Sequence, residues 1–311
     1  MDQDRRNKDS EYHRAVLVDE VTELLAPVMP GVVVDATFGG GGHSRRLLDE
    51  FGDEVTVVGV DRDPEALENA GELGVVAVQG NFGDLSDVVL PHIDEPPAGV
   101  LFDFGVSSHQ LDKASRGFSY RNDGPLDMRM GPDAKHQASD IVNRWSESEL
   151  TKILRDYGEE PLARRISRAI VQSRPINSTA QLSTVIAQAM PAARRRAGHP
   201  ARRTFQAIRI AVNGELDAVR SGIDQAIELV RPGGRVLAIS YHSLEDRIVK
   251  QRFVAGAKGC TCPPDLPVCG CGMTAELRIL TRKPIRASAA EVESNNRSRS
   301  AVLRAAERLA A

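Results

Sequence analysis

Four short apolar runs dominate the first hundred residues, and each ends on a polar or glycine-rich turn: Val32–Val34, Val55–Val60, Val75–Val78 and Gly99–Phe104. They are apolar at nearly every position rather than at alternate ones, which is the pattern of strands covered on both faces. Helical patterns fall between them at Ser44–Phe51 and Pro64–Leu73, the second with Asp63 as N-cap and Pro64 in the first helical position. A fifth strand, Arg235–Ser240, follows the turn Pro232-Gly233-Gly234. Strands alternating with helices predict an α/β fold on a mostly parallel sheet.

The interval between the fourth and fifth strands is too long for one crossover. It opens with a loop rich in Gly, Asp and Met (Arg116–Pro132) and continues through helical patterns near Glu147–Asp156, Pro161–Gln172, Thr179–Met190 and Thr204–Val230. These predict a core domain of residues 1–106 and 214–311, interrupted by a helical subdomain at 107–213. The tail carries a Cys-rich loop (256–275), a strand at Leu277–Thr281, and Ser300–Ala311, whose pattern leans toward helix.

The net charge of -3 gives the chain no overall attraction to a polyanion. Its distribution differs: Pro161–Gly214 contains no Asp or Glu and ten arginines, namely Arg164, Arg165, Arg168, Arg174, Arg194, Arg195, Arg196, Arg202, Arg203 and Arg209. Arginine forks suit phosphate oxygens, so this subdomain is expected to bind nucleic acid; a solvated helix face paired with acids elsewhere is the alternative. Residues Met1–Ser10 are polar, and no stretch reaches the roughly 18 apolar residues of a membrane span, so a cytoplasmic protein with no membrane partner is expected. The four cysteines lie together in Cys260-Thr-Cys262 and Cys269-Gly-Cys271, unlike a disulfide framework that ties distant segments. Their spacing is tighter than the usual C-x₂-C of zinc sites, and no metal ligand is assigned.

Chemistry-bearing residues gather at predicted strand ends. Val34 runs into Asp35-Ala-Thr-Phe-Gly-Gly-Gly-Gly-His-Ser44, a glycine loop opening a helix; Asp61 ends the second strand, Asn81-Phe82 follows the third, and Asp103 ends the fourth. Glycines permit close backbone approach to a ligand, an acid about twenty residues on suits ribose hydroxyls, and a flat ring suits adenine. Together they predict a nucleoside-containing ligand at the switch point of the sheet. The glycines are bunched rather than spaced G-x-G-x-x-G, which favours a sulfonium nucleoside over a dinucleotide pyrophosphate.

Longer stretches carry a resemblance. Beside the glycine loop and Asp61-Arg-Asp-Pro stand Asp103-Phe-Gly-Val-Ser-Ser-His-Gln110, Arg116-Gly-Phe-Ser, Asp123-Gly-Pro-Leu-Asp-Met-Arg-Met130, Tyr157-Gly-Glu-Glu, His199-Pro-Ala-Arg-Arg-Thr-Phe-Gln-Ala-Ile-Arg209 and Ser240-Tyr-His-Ser-Leu-Glu-Asp-Arg-Ile-Val-Lys250. In these the chain resembles the bacterial 16S ribosomal RNA cytosine-N4 methyltransferases, the RsmH or MraW family. The resemblance implies a class I, Rossmann-like S-adenosylmethionine-dependent methyltransferase with an inserted helical subdomain, acting on a cytidine in the decoding region of the small ribosomal subunit and not on DNA. It implies cofactor contacts from Gly41, Gly42, His43, Asp61, Phe82, Asp103 and Gln110, and it makes the C-terminal segment a strand. Position 109 is His where many relatives have Pro, and the cysteine pairs occur in only part of the family.

Methyl transfer from a sulfonium is an in-line displacement, so the protein's task is alignment rather than metal chemistry. A hydrogen-bond acceptor on the amine protons would expose the N4 lone pair; Asp103, as the catalytic candidate, or a backbone carbonyl near Gly105 is placed to supply it, while pure cofactor binding is the other role for Asp103. The Asp/Asn-Pro-Pro-aromatic turn of many amine methyltransferases is absent from Asp103-Phe104-Gly105-Val106. Carbon-5 methylation needs a thiolate, and no cysteine lies near strand four. His242 is either a substrate contact or a cap for the helix after it. The competing classes are an NAD-linked oxidoreductase and a non-catalytic ribosome-assembly factor.

Overall fold

The computed structural model describes residues 15–68, 70–192, 199–259, 262 and 272–310. The chain divides into two compact units, 1–105 with 216–311, and 106–215.

The first unit is built on one eight-stranded sheet: β1 (Gly31–Asp35), β2 (Val55–Asp61), β3 (Val76–Gln79), β4 (Gly99–Asp103), β5 (Arg235–Ser240), β6 (Leu277–Ile279), β7 (Ile285–Arg286) and β8 (Val302–Arg308). The order is β3-β2-β1-β4-β5-β8-β6, with β7 also on β8. Strands β1 to β5 are parallel, and β8 runs antiparallel to β5, β6 and β7. The chain winds outward from β1 through β2 to β3, then returns to β4 on the other side of β1. That reversal leaves a crevice above the carboxyl ends of β1 and β4.

Each central strand feeds two cores, which explains its continuous apolar run. Val34, Val58, Val100, Phe102, Val236 and Ala238 face one side, against Val219, Ile223 and Ile227 of the Glu215–Leu229 helix and Val249 and Phe253 of the Ser243–Lys258 helix. Val33, Val57, Leu101, Leu237 and Ile239 face the other, against Val21 and Leu25 of the Val18–Leu25 helix and Leu47 of the Gly42–Phe51 helix.

Three expected elements differ. Pro64–Leu73 is not one helix but two 3-10 turns, Pro64–Leu67 and Gly71–Leu73. Asp63 caps the first, accepting from Glu65 N, but Gly71 weakens helix propagation and Gly74, at φ 74°, turns the chain into β3. The Thr204–Val230 pattern is two helices, Arg202–Asn213 and Glu215–Leu229, parted by Gly214 at φ 62°. Ser300–Ala311 carries β8, whose Val302–Ala306 are buried between β5 and β6, so the slot in the sheet overrides the helix preference of Ala, Leu, Arg and Glu. Of the cysteine pairs only Cys262 falls within the described residues, and Cys260, Cys269 and Cys271 lie outside them.

The second unit packs the helices Ser108–Asp112, Ala138–Arg144, Glu147–Asp156, Ala163–Gln172, Thr179–Ala189 and Arg202–Asn213 around their own core, which includes Met128, Ile141, Leu150, Leu154, Ile166 and Ile208. Capping boxes at Ser107, Gln137 and Ser146 start three of them. No helix among the described residues is long and apolar enough to cross a membrane.

Phe102 is fully buried and stacks on Phe104 at 5.3 Å between centroids, with Phe82 edge-on at 5.8 Å. Phe102→Ala is expected to cost about 3–5 kcal/mol, read as a lower urea midpoint; a loss below about 1 kcal/mol would contradict this packing.

Candidate active site

The glycine loop is held from below by carboxylates. Asp61 Oδ2 accepts from Gly39 N at 2.8 Å and Oδ1 accepts from Asp63 N at 2.8 Å, so the acid ending β2 pins the loop that follows β1. Gly39 and Gly41 take φ of 54° and 71°, which a side chain rarely adopts. Gly42 opens the Gly42–Phe51 helix, and a Cβ there would meet the Ala15 Cβ at 2.8 Å, so its missing side chain serves internal packing. His43 is buried, and its Nε2 donates to the Val16 carbonyl at 2.9 Å.

Asp35, at the end of β1, is 1% exposed and accepts from Ser44 Oγ at 2.7 Å, tying strand to helix start beneath the loop. Burial raises its pKa, against the opposing pull of His43 and the Ser44 bond. One residue past Ala36, Thr37 Oγ1 accepts from Asp103 N at 2.6 Å and joins β1 to β4 at the switch point.

Asp103 has two unlike oxygens. Its carboxylate takes a hydrogen bond from the Tyr241 hydroxyl, while Oδ1 is buried with no hydrogen-bond partner. Burial pushes the carboxyl up to about 6, opposed by His43 and the Tyr241 bond and aided by Asp35 and Glu245. Asp61 is likewise pushed up to about 6, by burial first, despite its bonds to Asp63 N and Gly39 N. Tyr241 lies well above its ordinary range, through burial and then the Asp103 charge. Its own backbone N–H donates to Glu245 Oε2 at 2.9 Å. A buried, orphaned acceptor costs stability and is the group a ligand donor would satisfy.

The sequence-predicted residues therefore divide. Gly41, Gly42, His43, Asp61 and Asp103 cluster at the carboxyl ends of β1, β2 and β4. Phe82 begins the turn after β3 and turns its ring toward Phe102, Phe104 and Gly222. Gln110 belongs to the helical unit, where it is buried and its Oε1 accepts from Ser107 N at 3.2 Å to close a capping box. His242 takes the capping role, at the N-cap of the Ser243–Lys258 helix with Glu245. Asp35, Ser44 and Tyr241, not singled out by their sequence context, join this cluster through the Asp35–Ser44 and Asp103–Tyr241 hydrogen bonds. A lone acid ending an all-apolar strand was the available signal for Asp35; nothing local pairs Tyr241 with Asp103.

The arginine run also divides. Arg174 donates to the carbonyls of Val142 and Trp145, and Arg209 is mostly buried and pairs with Glu215 at 2.7 Å, so these two are structural rather than free cations. Arg164, Arg165, Arg202 and Arg203 are exposed, and Arg194, Arg195 and Arg196 lie outside the described residues.

A doubly wound sheet with a glycine loop and an acidic rim at its switch point defines a class I methyltransferase, whose cofactor, S-adenosylmethionine, offers a ribose diol and a cationic sulfonium. The sequence profile of the MraW methylase family matches residues 10–309, and the chain belongs to that family. Ribosomal RNA small subunit methyltransferase H of Symbiobacterium thermophilum is 50% identical over 310 residues, 96% of this chain and 98% of that one. The protein of the same name from Brevibacillus brevis is 49% identical over 312 residues, 96% of this chain and 98% of its own.

The folded Asp103 carboxyl keeps its proton to about pH 6, whereas its ordinary value is 3.8, so between those values stability falls as pH rises and the penalty persists above. Asp103→Asn is expected to melt at a higher temperature than the parent at pH 8, with the gap closing toward pH 4. A lower melting temperature at pH 8 would contradict the burial of an under-satisfied carboxylate.

Proposed function

We propose that the protein transfers the methyl group of S-adenosylmethionine to the exocyclic N4 amine of a cytidine in the decoding region of 16S ribosomal RNA, within the cytoplasmic small subunit. The observation that carries this reading is the unpartnered Oδ1 of Asp103 beside a glycine loop suited to the cofactor. The chain's kinship with proteins named as small-subunit methyltransferases supports the RNA class, and the resemblance of its motifs supplies the base and atom.

The glycine loop, His43 and Asp61 hold the cofactor in this reading, with Phe82 on its adenine side; Gln110 enters on the resemblance alone. The acidic rim of Asp35, Asp61 and Asp103 complements a cationic ligand. When bound, the cofactor supplies an electrophilic methyl on a positively charged sulfur. The cytosine N4 lone pair is delocalised into the ring, and Asp103 Oδ1 accepts from the amine N–H, which orients the lone pair toward the methyl carbon. With the cofactor bound, N4 would take the methyl in an in-line displacement, the new carbon–nitrogen bond replacing the carbon–sulfur bond, whose electron pair would stay on sulfur. The amine then sheds one proton to Asp103, whose pKa near 6 suits return of that proton to water. Tyr241, bonded to the carboxylate, holds it in orientation.

The target base must leave its stack to reach such a pocket, which an RNA loop allows more cheaply than a duplex. The helical unit, with exposed Arg164, Arg165, Arg202 and Arg203, is the proposed grip on flanking phosphates.

The test is incubation with labelled cofactor and small subunits from a strain lacking the enzyme, followed by mapping of the modified nucleotide. The expected product is one N4-methylated cytidine in the decoding region; label on carbon 5, or on no nucleotide, would overturn the reading. In the same assay Asp103→Asn should retain cofactor affinity within a few-fold while turnover falls by roughly 10²–10⁴. Lost cofactor binding with intact turnover at saturation would assign Asp103 to the cofactor instead.

A further inference from the structure

The helical unit holds an aromatic arrangement that the reaction above does not use. The rings of Tyr120 and His199 stack with centroids 4.2 Å apart and planes 27° from parallel. Phe205, 4% exposed, meets Tyr120 edge-on at 5.9 Å and 82°, anchoring it from the core. The outer member of the stack is His199, which is exposed, with one face covered by Tyr120.

The imidazole is also fixed in its plane. Its Nδ1 accepts from Ala201 N at 3.3 Å, and the His199 carbonyl accepts from Arg202 N at 3.2 Å as the Arg202–Asn213 helix begins. Partial desolvation, with the nearby Arg121 charge, holds its pKa below the ordinary histidine value. Arg121 is exposed and sits 5.9 Å from the Tyr120 centroid, while Arg202 and Arg203, also exposed, follow His199 in sequence, Arg203 Nη1 donating to the Glu159 carbonyl at 2.9 Å.

A flat ring, hydrogen-bonded in its plane, presented to solvent and flanked by the exposed Arg121, is poorly explained by packing alone. Packing would turn the ring inward, as Phe205 is turned. Bases of single-stranded RNA stack on such rings while nearby arginines meet their phosphates, and the contact tolerates any base because every base has a π-face.

We propose that His199, backed by Tyr120, is a stacking platform for one unpaired base of the RNA substrate, distinct from the base that is methylated. The proposal rests on the reading of RNA as substrate. It assigns a role to two of the motif stretches, Arg116-Gly-Phe-Ser with the Tyr120 that follows it and His199-Pro-Ala-Arg-Arg, that lie outside the cofactor loop.

The test is binding of a short single-stranded RNA carrying 2-aminopurine, whose fluorescence is quenched on stacking, to the full-length protein and its variants. The parent protein and His199→Phe, which keeps a flat ring, are expected to quench the probe and bind alike within about threefold. His199→Ala and Tyr120→Ala are expected to lose the quenching and bind about tenfold more weakly, with cofactor affinity unchanged. The proposal is overturned if His199→Ala binds and quenches as the parent does. It is equally overturned if His199→Phe is as impaired as His199→Ala, since the hydrogen bond to Ala201 and not the ring face would then matter. This readout needs no methyl transfer, so a parent protein that binds and quenches the RNA but modifies no nucleotide would sink the functional reading and leave the platform standing.

Discussion

The rest of the active unit depends on carboxylates being held under the glycine loop. Asp61 accepts two backbone N–H groups, from Gly39 and Asp63, and Asp35 accepts the Ser44 hydroxyl. These bonds fix where the chain leaves β1, turns through positive φ and enters the Gly42–Phe51 helix. They act together with the backbone bond from Phe38 N to the Val60 carbonyl at 2.9 Å, which ties the same loop to β2. Burying several acids at one sheet edge is unfavourable, and the raised pKa values of Asp35, Asp61 and Asp103 record that cost. The fold offsets most of it with backbone and hydroxyl donors but leaves Asp103 Oδ1 unmatched. Asp103 Oδ1 is thus the one oxygen of these three acids that stands among the unpartnered buried atoms, at the switch point of the sheet.

Much of this was legible in the chain itself, because the strands carry their own signature. Five mostly apolar runs marked strands covered on both faces, and β1 to β5 fall on them, although the edge strand β3 leaves Val76, Ala77 and Gln79 exposed. The polar residues that interrupt the pattern at strand ends, Asp61 and Asp103 above all, stand at the carboxyl edge for the same reason. The failures are physical too. At Pro64–Leu73 a good cap and a proline announced a helix that Gly71 and Gly74 do not sustain. At Val302–Arg308 a helix-forming composition yields to the slot beside β5. Pairings such as Tyr241 with Asp103, or Ser44 with Asp35, are tertiary and have no local sign.

The helical unit shows the limit of reading charge from composition. An acid-free stretch of arginines suggested one cationic surface, yet Arg174 is spent on the carbonyls of Val142 and Trp145 and Arg209 on Glu215. What remains exposed is a smaller set that includes Arg202 and Arg203, close in sequence to the His199 ring. Phosphate contacts position a nucleic acid, whereas ring contacts sort paired from unpaired bases. The two together suit a substrate whose target must be everted.

The central claim is that a sulfonium nucleoside lies at the switch point, with its ribose on Asp61 and its reactive end toward Asp103. A crystal structure with S-adenosylhomocysteine tests it most directly. The account predicts the ribose hydroxyls within hydrogen-bonding distance of Asp61 and the nucleoside lying along the Gly39–His43 loop. A nucleoside bound anywhere else, or one that leaves Asp61 and Asp103 untouched, would contradict it.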